Sequence, residues 1–376
     1  MQAMRWREAG AAIAALFVVS RGILVLLALF LENNIPLGYA GPAFDERIVL
    51  RSLTGSDSVY LLGIAAEGYH AEPVSQAFRD WAFFPLYPLV TRAASVLTLG
   101  DITIAGILVA NLAFVAALAV LYRLALNHLD HDRAVRSLAF VTFAPGAVAF
   151  AMAYTDSLFL LLAAGAFLAA EHRRWWLMAV LYGLATLTRA QGLLIGLPLA
   201  VLIANDMGGW RHVESWRSRR MFWLLAGPLG FGAFALLLGL SFGEPFGMLK
   251  AQEAWSNIGR PATGNTTPVL DRFDPIVLLL IGILCLYTFL LVYLRHDRFP
   301  AAHVVLVAVM WIGTFGAMFL NTSLLQSVAR YMAVAWPFSW VLAKRKARWF
   351  ELVGLAGLAA LFVVFAALHF TQALAP

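Results

Sequence analysis

Four charged side chains in this chain are placed where chemistry is possible and burial is costly. Asp57 lies in GSDSVYLLGIAAEGYH (55–70), Asp156 in AYTDSLFLLL (153–162), Arg189 in LATLTRAQGLLIGLP (184–198) and Arg330 in LLQSVARYMAVAWPF (324–338). Each begins or interrupts an apolar run, where an ionised group costs several kcal/mol unless it is paired or faces a wet cavity. A carboxylate facing such a cavity can take a proton from an incoming hydroxyl. A guanidinium, permanently charged and fork-shaped, suits a phosphate. On a helix starting at Asp57, helical spacing puts Asp57, Tyr60, Ile64 and Glu67 on one face.

Every one of these residues has a plainer reading. Ser56 or Asp57 can cap a helix, and so can Thr155 or Asp156. Arg189 can be a turn residue snorkelling to the interface. Arg330 with Tyr331 can clamp a phosphate, stack on a sugar, or simply anchor a helix at the interface. Arg21, inside the first apolar run, needs a polar partner that the sequence does not name.

The elements that must hold these groups are membrane helices. The chain has 376 residues, 62% hydrophobic and 13% charged, and its mean hydropathy is +0.80. Soluble domains are nearer half apolar and a quarter charged. Apolar segments fall at roughly 11–31, 102–126, 136–153, 156–170, 175–188, 191–205, 221–242, 275–294, 303–320, 329–343 and 349–370. Eleven crossings bring the basic clusters, from Arg5/Arg7 to KRKAR (344–348), to one side, as the positive-inside rule requires. The net charge of +6 therefore reports topology rather than nucleic-acid binding. The segment FFPLYPLVTRAASVLTLG (83–100) is expected to stay at the interface, because two prolines and Arg92 make it a poor spanning helix.

This topology predicts a single membrane domain, 1–376, with outer loops at 32–100 and 243–274 and tight outer turns at 153–155, around Arg189 and at 321–326. All four charged residues then share the outer side. Cys285 is the lone cysteine, and HEXXH, CXXC and glycine-rich phosphate loops are absent. His303 and the other histidines show no metal-ligand spacing, so neither a metal nor a cofactor is expected. Outer acids and outer arginines suit either an enzyme taking a sugar from a polyprenyl phosphate or a transporter of an anionic lipid.

Five segments in order resemble the PIG-V family of mannosyltransferases, within the GT-C superfamily of multi-spanning glycosyltransferases. They are DSVYLLGIAAEGY (57–69), AFFPLYP (82–88), AYTDSLF (153–159), TRAQG (188–192) and ARYMAVAWPF (329–338). The chain departs from the family pattern in three places. Ser56 replaces the usual Trp, Tyr60 replaces a common His, and Asp156 replaces Glu.

The resemblance implies an all-α polytopic GT-C fold whose large first outer loop carries juxtamembrane helices. It implies an inverting transfer of mannose from a polyprenyl-phosphate donor to a hydroxyl of a glycolipid, glycan or protein. Asp57 would be the base. Asp156, Tyr60, Glu67, Tyr69, Arg189, Arg330 and Tyr331 would bind substrate, with the two arginines on the phosphate. Asp57 and Asp156 together could hold a metal. The short loops and arginine-rich composition predict a multi-pass protein of a prokaryotic plasma membrane with an extracytoplasmic site, or a lumenal one in an endoplasmic reticulum. A lipid-linked-saccharide flippase and a non-catalytic GT-C-like subunit are the alternatives.

Overall fold

The computed structural model describes residues 2–34, 44–45, 47–72, 79–251, 275–320, 327–345 and 348–371. Most of the expected 243–274 loop and the 321–326 turn lie outside the described residues. All regular elements among those described are helical, as lipid demands, because a backbone there must satisfy its own polar groups. In chain order they are α1 (Gln2–Asn34), α2 (Ile48–Leu53), α3 (Asp57–Glu67), α4 (Leu86–Ala94), α5 (Ile102–Ala125), α6 (His131–Thr142), α7 (Asp156–Glu171) and α8 (Trp175–Thr186). There follow α9 (Gly196–Asp206), α10 (Val213–Trp216), α11 (Ala226–Phe242), α12 (Pro275–His296), α13 (Ala301–Leu320), α14 (Val328–Ala333), α15 (Pro337–Ala343) and α16 (Arg348–Phe370).

The protein is a multi-pass membrane protein. Five helices among the described residues are long and apolar enough to cross: 4–34, 102–125, 219–242, 279–296 and 352–370. Of these, α1 turns Leu24, Ala28 and Leu31 inward and leaves Val18, Leu26 and Phe30 outside, which is the pattern of a lipid-facing helix. Its Arg21 finds no acid among the described residues. Its Nε donates to Asn111 Oδ1 at 2.7 Å and its Nη2 to the Phe150 carbonyl at 2.8 Å, with the guanidinium against the Phe17 and Phe114 rings.

Two of the eleven expected segments are not single helices. The 136–153 segment divides into α6 and a 3-10 turn, Pro145–Phe150, and 329–343 divides into α14 and α15 at Trp336–Pro337. Proline lacks the donor for an upstream carbonyl and its ring crowds that carbonyl, so both runs are interrupted. Composition reads these segments as apolar and does not register the break.

The 83–100 segment forms only the nine-residue α4 and a short 3-10 turn. At 1.5 Å per residue α4 is about 14 Å long, roughly half the hydrocarbon thickness. Left-handed residues at Leu99 (φ 55°) and Gly100 (φ 92°) end it. Arg92 closes the end of α3, whose last carbonyls have no partner within the helix. Its Nε and Nη2 donate to the Ala65 and Ala66 carbonyls at 2.6 and 2.8 Å.

The interior is built on α7, which packs between α5 and α8, with α11 outside α8. The 3-10 turn at 145–150 is the second centre, covered by α14 and by α16. Gly146 makes this possible. A Cβ there would lie 2.1 Å from the Ala329 carbonyl oxygen and 2.5 Å from the Arg330 nitrogen. These are backbone atoms of α14, with no flexible side chain to yield. Gly146→Ala should therefore displace Arg330, lowering stability by about 1–3 kcal/mol or more and activity with it. Thermal unfolding and a transfer assay would check this.

Candidate active site

The site forms where four chain segments are tied together. The Ala153 amide donates to the Leu53 carbonyl at 3.0 Å, and the Tyr154 hydroxyl reaches the Gly55 carbonyl at 3.4 Å. These bonds hold the start of α3 against the start of α7. The Leu86 amide donates to the Leu187 carbonyl at 3.0 Å, joining α4 to the loop before Arg189. Gly192 lets that loop close, since a Cβ would meet the Thr186 Cα at 2.5 Å.

Asp57 is the first residue of α3 and Asp156 the first of α7. Neither helix has a side-chain cap hydrogen bond from its preceding residue, Ser56 or Thr155. Both carboxylates face guanidiniums instead. Arg330 Nη1 donates to Asp57 Oδ2 at 2.5 Å, and Arg330 Nε donates to Asp156 Oδ2 at 2.8 Å. Arg189 Nη1 donates to Asp156 Oδ1 at 2.6 Å.

The result is a neutral quartet, Asp57–Arg330–Asp156–Arg189, in which Asp156 is fully buried and the others at least nine-tenths buried. Such a cluster is tolerated only because each charge is paired and hydrogen-bonded. The place a cation would take between the two acids is filled by the Arg330 guanidinium. Arg189 Nε is buried without a hydrogen-bond partner, a donor left available within the site.

Aromatic rings wall the charges, in the arrangement by which a ring face attracts a cation. Tyr154 lies 4.2 Å from the Arg330 guanidinium carbon, and Tyr331 and Phe159 lie 5.3 and 5.5 Å from that of Arg189. Ser56, immediately before Asp57, takes φ 56° and ψ −125°. Residues other than glycine rarely adopt such a backbone, and strain of this kind is one way of aiming a functional side chain.

Of the residues singled out in the sequence, Asp57, Asp156, Arg189, Arg330 and Tyr331 converge here. Tyr60 lies one turn along α3, stacked on Phe83 at 5.3 Å between centroids. Burial, and then the Asp57 charge, holds its hydroxyl above the ordinary range. Glu67 and Tyr69 do not join the quartet. Glu67 ends α3, which at the helical rise puts it about 15 Å from Asp57. Its exposed carboxylate meets His70 Nε2 at 3.2 Å. Tyr69 donates to the Phe83 carbonyl at 2.7 Å and packs on Phe234, in a separate cluster around Trp81 and Phe84. The helical face that groups 57, 60, 64 and 67 is real, but α3 carries it away from the quartet.

His369 on α16 was not apparent from the sequence. It is buried with Nδ1 unpartnered, close enough for the Arg330 and Asp156 charges to act on it. A lone histidine in the last apolar run was the only signal.

Beyond α3, His70 Nδ1 meets Asp80 Oδ2 at 3.0 Å, and Trp81 Nε1 donates to the His70 carbonyl at 2.9 Å. The bond to Asp80 raises the His70 ring above its ordinary value, and burial raises Asp80. A raised group stabilises most fully below its unfolded value and loses that contribution as pH climbs through the folded one. For His70 the loss begins near its ordinary value of about 6.5. Hydrogen-exchange protection over residues 68–72 and 79–84, corrected for intrinsic rates, should fall as pH rises above about 6.5. His70→Gln should flatten that profile.

A polytopic helical protein with buried acids and arginines gathered at helix starts is the class that this geometry defines. Within it, the sequence model of the family described as Mannosyltransferase (PIG-V) matches residues 34–236. The match covers more than half of the chain, and the chain belongs to that mannosyltransferase family. Asp57, Asp156 and Arg189 lie inside the match and Arg330 beyond it. A crystal structure of the Archaeoglobus fulgidus oligosaccharyltransferase in the apo form is similar at 12% identity and a TM-score of 0.48. The similarity covers 95% of this chain, which spans 56% of the length of that one. No match is found among curated proteins.

Proposed function

We propose that the protein is an inverting GT-C mannosyltransferase that moves mannose from a polyprenyl-phosphate donor to a hydroxyl of a glycolipid or glycan on the extracytoplasmic face. The observation that carries this reading is the quartet, which places one carboxylate, Asp57, within reach of the same guanidinium that suits a phosphate. In the described arrangement Arg330 is saturated, since Nε, Nη1 and Nη2 all face carboxylates. A donor phosphate would meet the free Nε of Arg189 first and then compete with Asp57 for Arg330. Losing that partner frees the Asp57 lone pairs for the acceptor hydroxyl.

The acceptor oxygen then attacks the anomeric carbon from the face opposite the phosphate. The bond from that carbon to the phosphate oxygen breaks, polyprenyl phosphate leaves on the arginines, and Asp57 holds the acceptor proton. A cavity of about 250 Å3 lined by Phe17, Leu24, Leu53, Ile107, Asn111 and Phe370 offers an apolar receptor for the isoprenoid.

Purified protein should transfer mannose from polyprenyl-phosphate mannose to a component of extracted membranes, with the product's mass raised by one hexose. If labelled lipid instead crosses proteoliposomes and no glycosidic bond forms, the protein is a flippase and this assignment is wrong.

A further inference from the structure

The other end of α7 carries a second constellation, made by residues far apart in sequence. His128, just past α5, Glu171, the last residue of α7, and His303, in the first turn of α13, bring ligand-type atoms within 4.8 Å of one another. Asp156 and Glu171 begin and end one helix. At the helical rise per residue, the two groups are about 22 Å apart.

We propose that His128, Glu171 and His303 form a site for a divalent transition metal of the zinc class, separate from the quartet and beyond the proposed transferase chemistry. Two imidazoles and one carboxylate are a donor set that zinc accepts with three protein ligands and an open fourth position. Donors around a tetrahedral zinc at about 2.0–2.1 Å sit roughly 3.3–3.5 Å from one another. Glu171 Oε1 already lies 2.9 Å from His128 Nε2 and 3.5 Å from His303 Nε2.

An independent observation also points to a ligand. His303 is fully buried, yet neither of its ring nitrogens has a hydrogen-bond partner. A buried imidazole left so is unusual and costly, and a metal on one nitrogen would remove half of the deficit. The surroundings resemble the outer shell of a metal site, in which hydrogen bonds orient the ligands. Asn127 Nδ2 donates to Glu171 Oε2 at 2.7 Å and so fixes the carboxylate. The Trp340 ring lies 5.1 Å from His128 and 4.7 Å from His303, with Phe167 5.3 Å from His303, which shields the His303 imidazole from water. His128 and Glu171 keep some exposure, leaving a path for entry. A bound ion would clip the ends of three helices.

The test uses full-length protein in detergent without a polyhistidine tag, stripped with chelator and titrated with Co2+. The expected result is one saturable equivalent, with the visible absorption of low-coordinate cobalt, bleached by Zn2+, and a rise in Tm of several degrees with Zn2+. His303→Phe should abolish the band, and the milder Asn127→Ala should weaken Co2+ binding by about tenfold or more while leaving the fold intact. Asp57→Asn should leave the band unchanged. Absence of a saturable band in the unmodified protein would overturn the proposal. So would a band that survives His303→Phe, whether or not Asp57→Asn removes it. The histidines would then be aromatic packing against Trp340.

Discussion

Asp57→Asn is expected to lower sugar transfer by about 10^2–10^4-fold, the range of a lost general base. Asparagine keeps the shape of the side chain and still accepts a hydrogen bond from Arg330, so the fold should survive. It cannot hold the acceptor's proton. The mutant kinetics should carry a further signature, because Asp57 and a donor phosphate compete for the same guanidinium. Weakening the Asp57–Arg330 pair should leave donor affinity unchanged or tighter while kcat falls, which separates a chemical role from a binding one. Donor titration and single-turnover transfer would read the two effects. Undiminished transfer in this variant would remove Asp57 as the base and leave it as a partner that only positions Arg330.

How much of this was legible in the sequence depends on which interactions are local. The acids at the starts of α3 and α7 are recognisable because each is the polar head of an apolar run. What they do there is not: capping is a local bond and a sound expectation, but Arg330 lies 273 residues beyond Asp57. Long-range charge pairing overrode the local cap. Pairing is equally invisible at Arg21, whose described partners are an amide, the Ser20 hydroxyl and a backbone carbonyl rather than an acid. The helical face containing Glu67 exists as a face, but its direction depends on how α3 lies on α4, which periodicity does not encode. The breaks at Pro145 and Pro337 are signalled by proline but masked by runs that are apolar throughout. The His128–Glu171–His303 group leaves no spacing signature, since its members sit at the ends of three different helices.

The second large effect is on stability. Arg330→Met leaves Asp156 paired with Arg189 alone and strips the buried Asp57 carboxylate of the guanidinium that it meets. Breaking a buried pair by removing one partner costs about 3–5 kcal/mol, because the remaining charge is uncompensated. Here one guanidinium serves two acids, so the upper part of that range is expected. Arg330→Lys restores the charge but not the fork, since an ammonium does not span two carboxylates as a guanidinium does. It should recover only part of the loss. The decisive comparison is the double variant Asp57→Asn/Arg330→Met. If the penalty comes from stranded charge, removing the Asp57 charge as well should return part of the lost stability, a coupling of about 0.5–3 kcal/mol between contacting residues. Half-lives of thermal inactivation in detergent, with unfolding followed by tryptophan fluorescence, would measure all four proteins. Strict additivity, with the double variant as unstable as the sum of the singles, would mean that Asp57 and Arg330 do not share the energetics that their 2.5 Å contact implies.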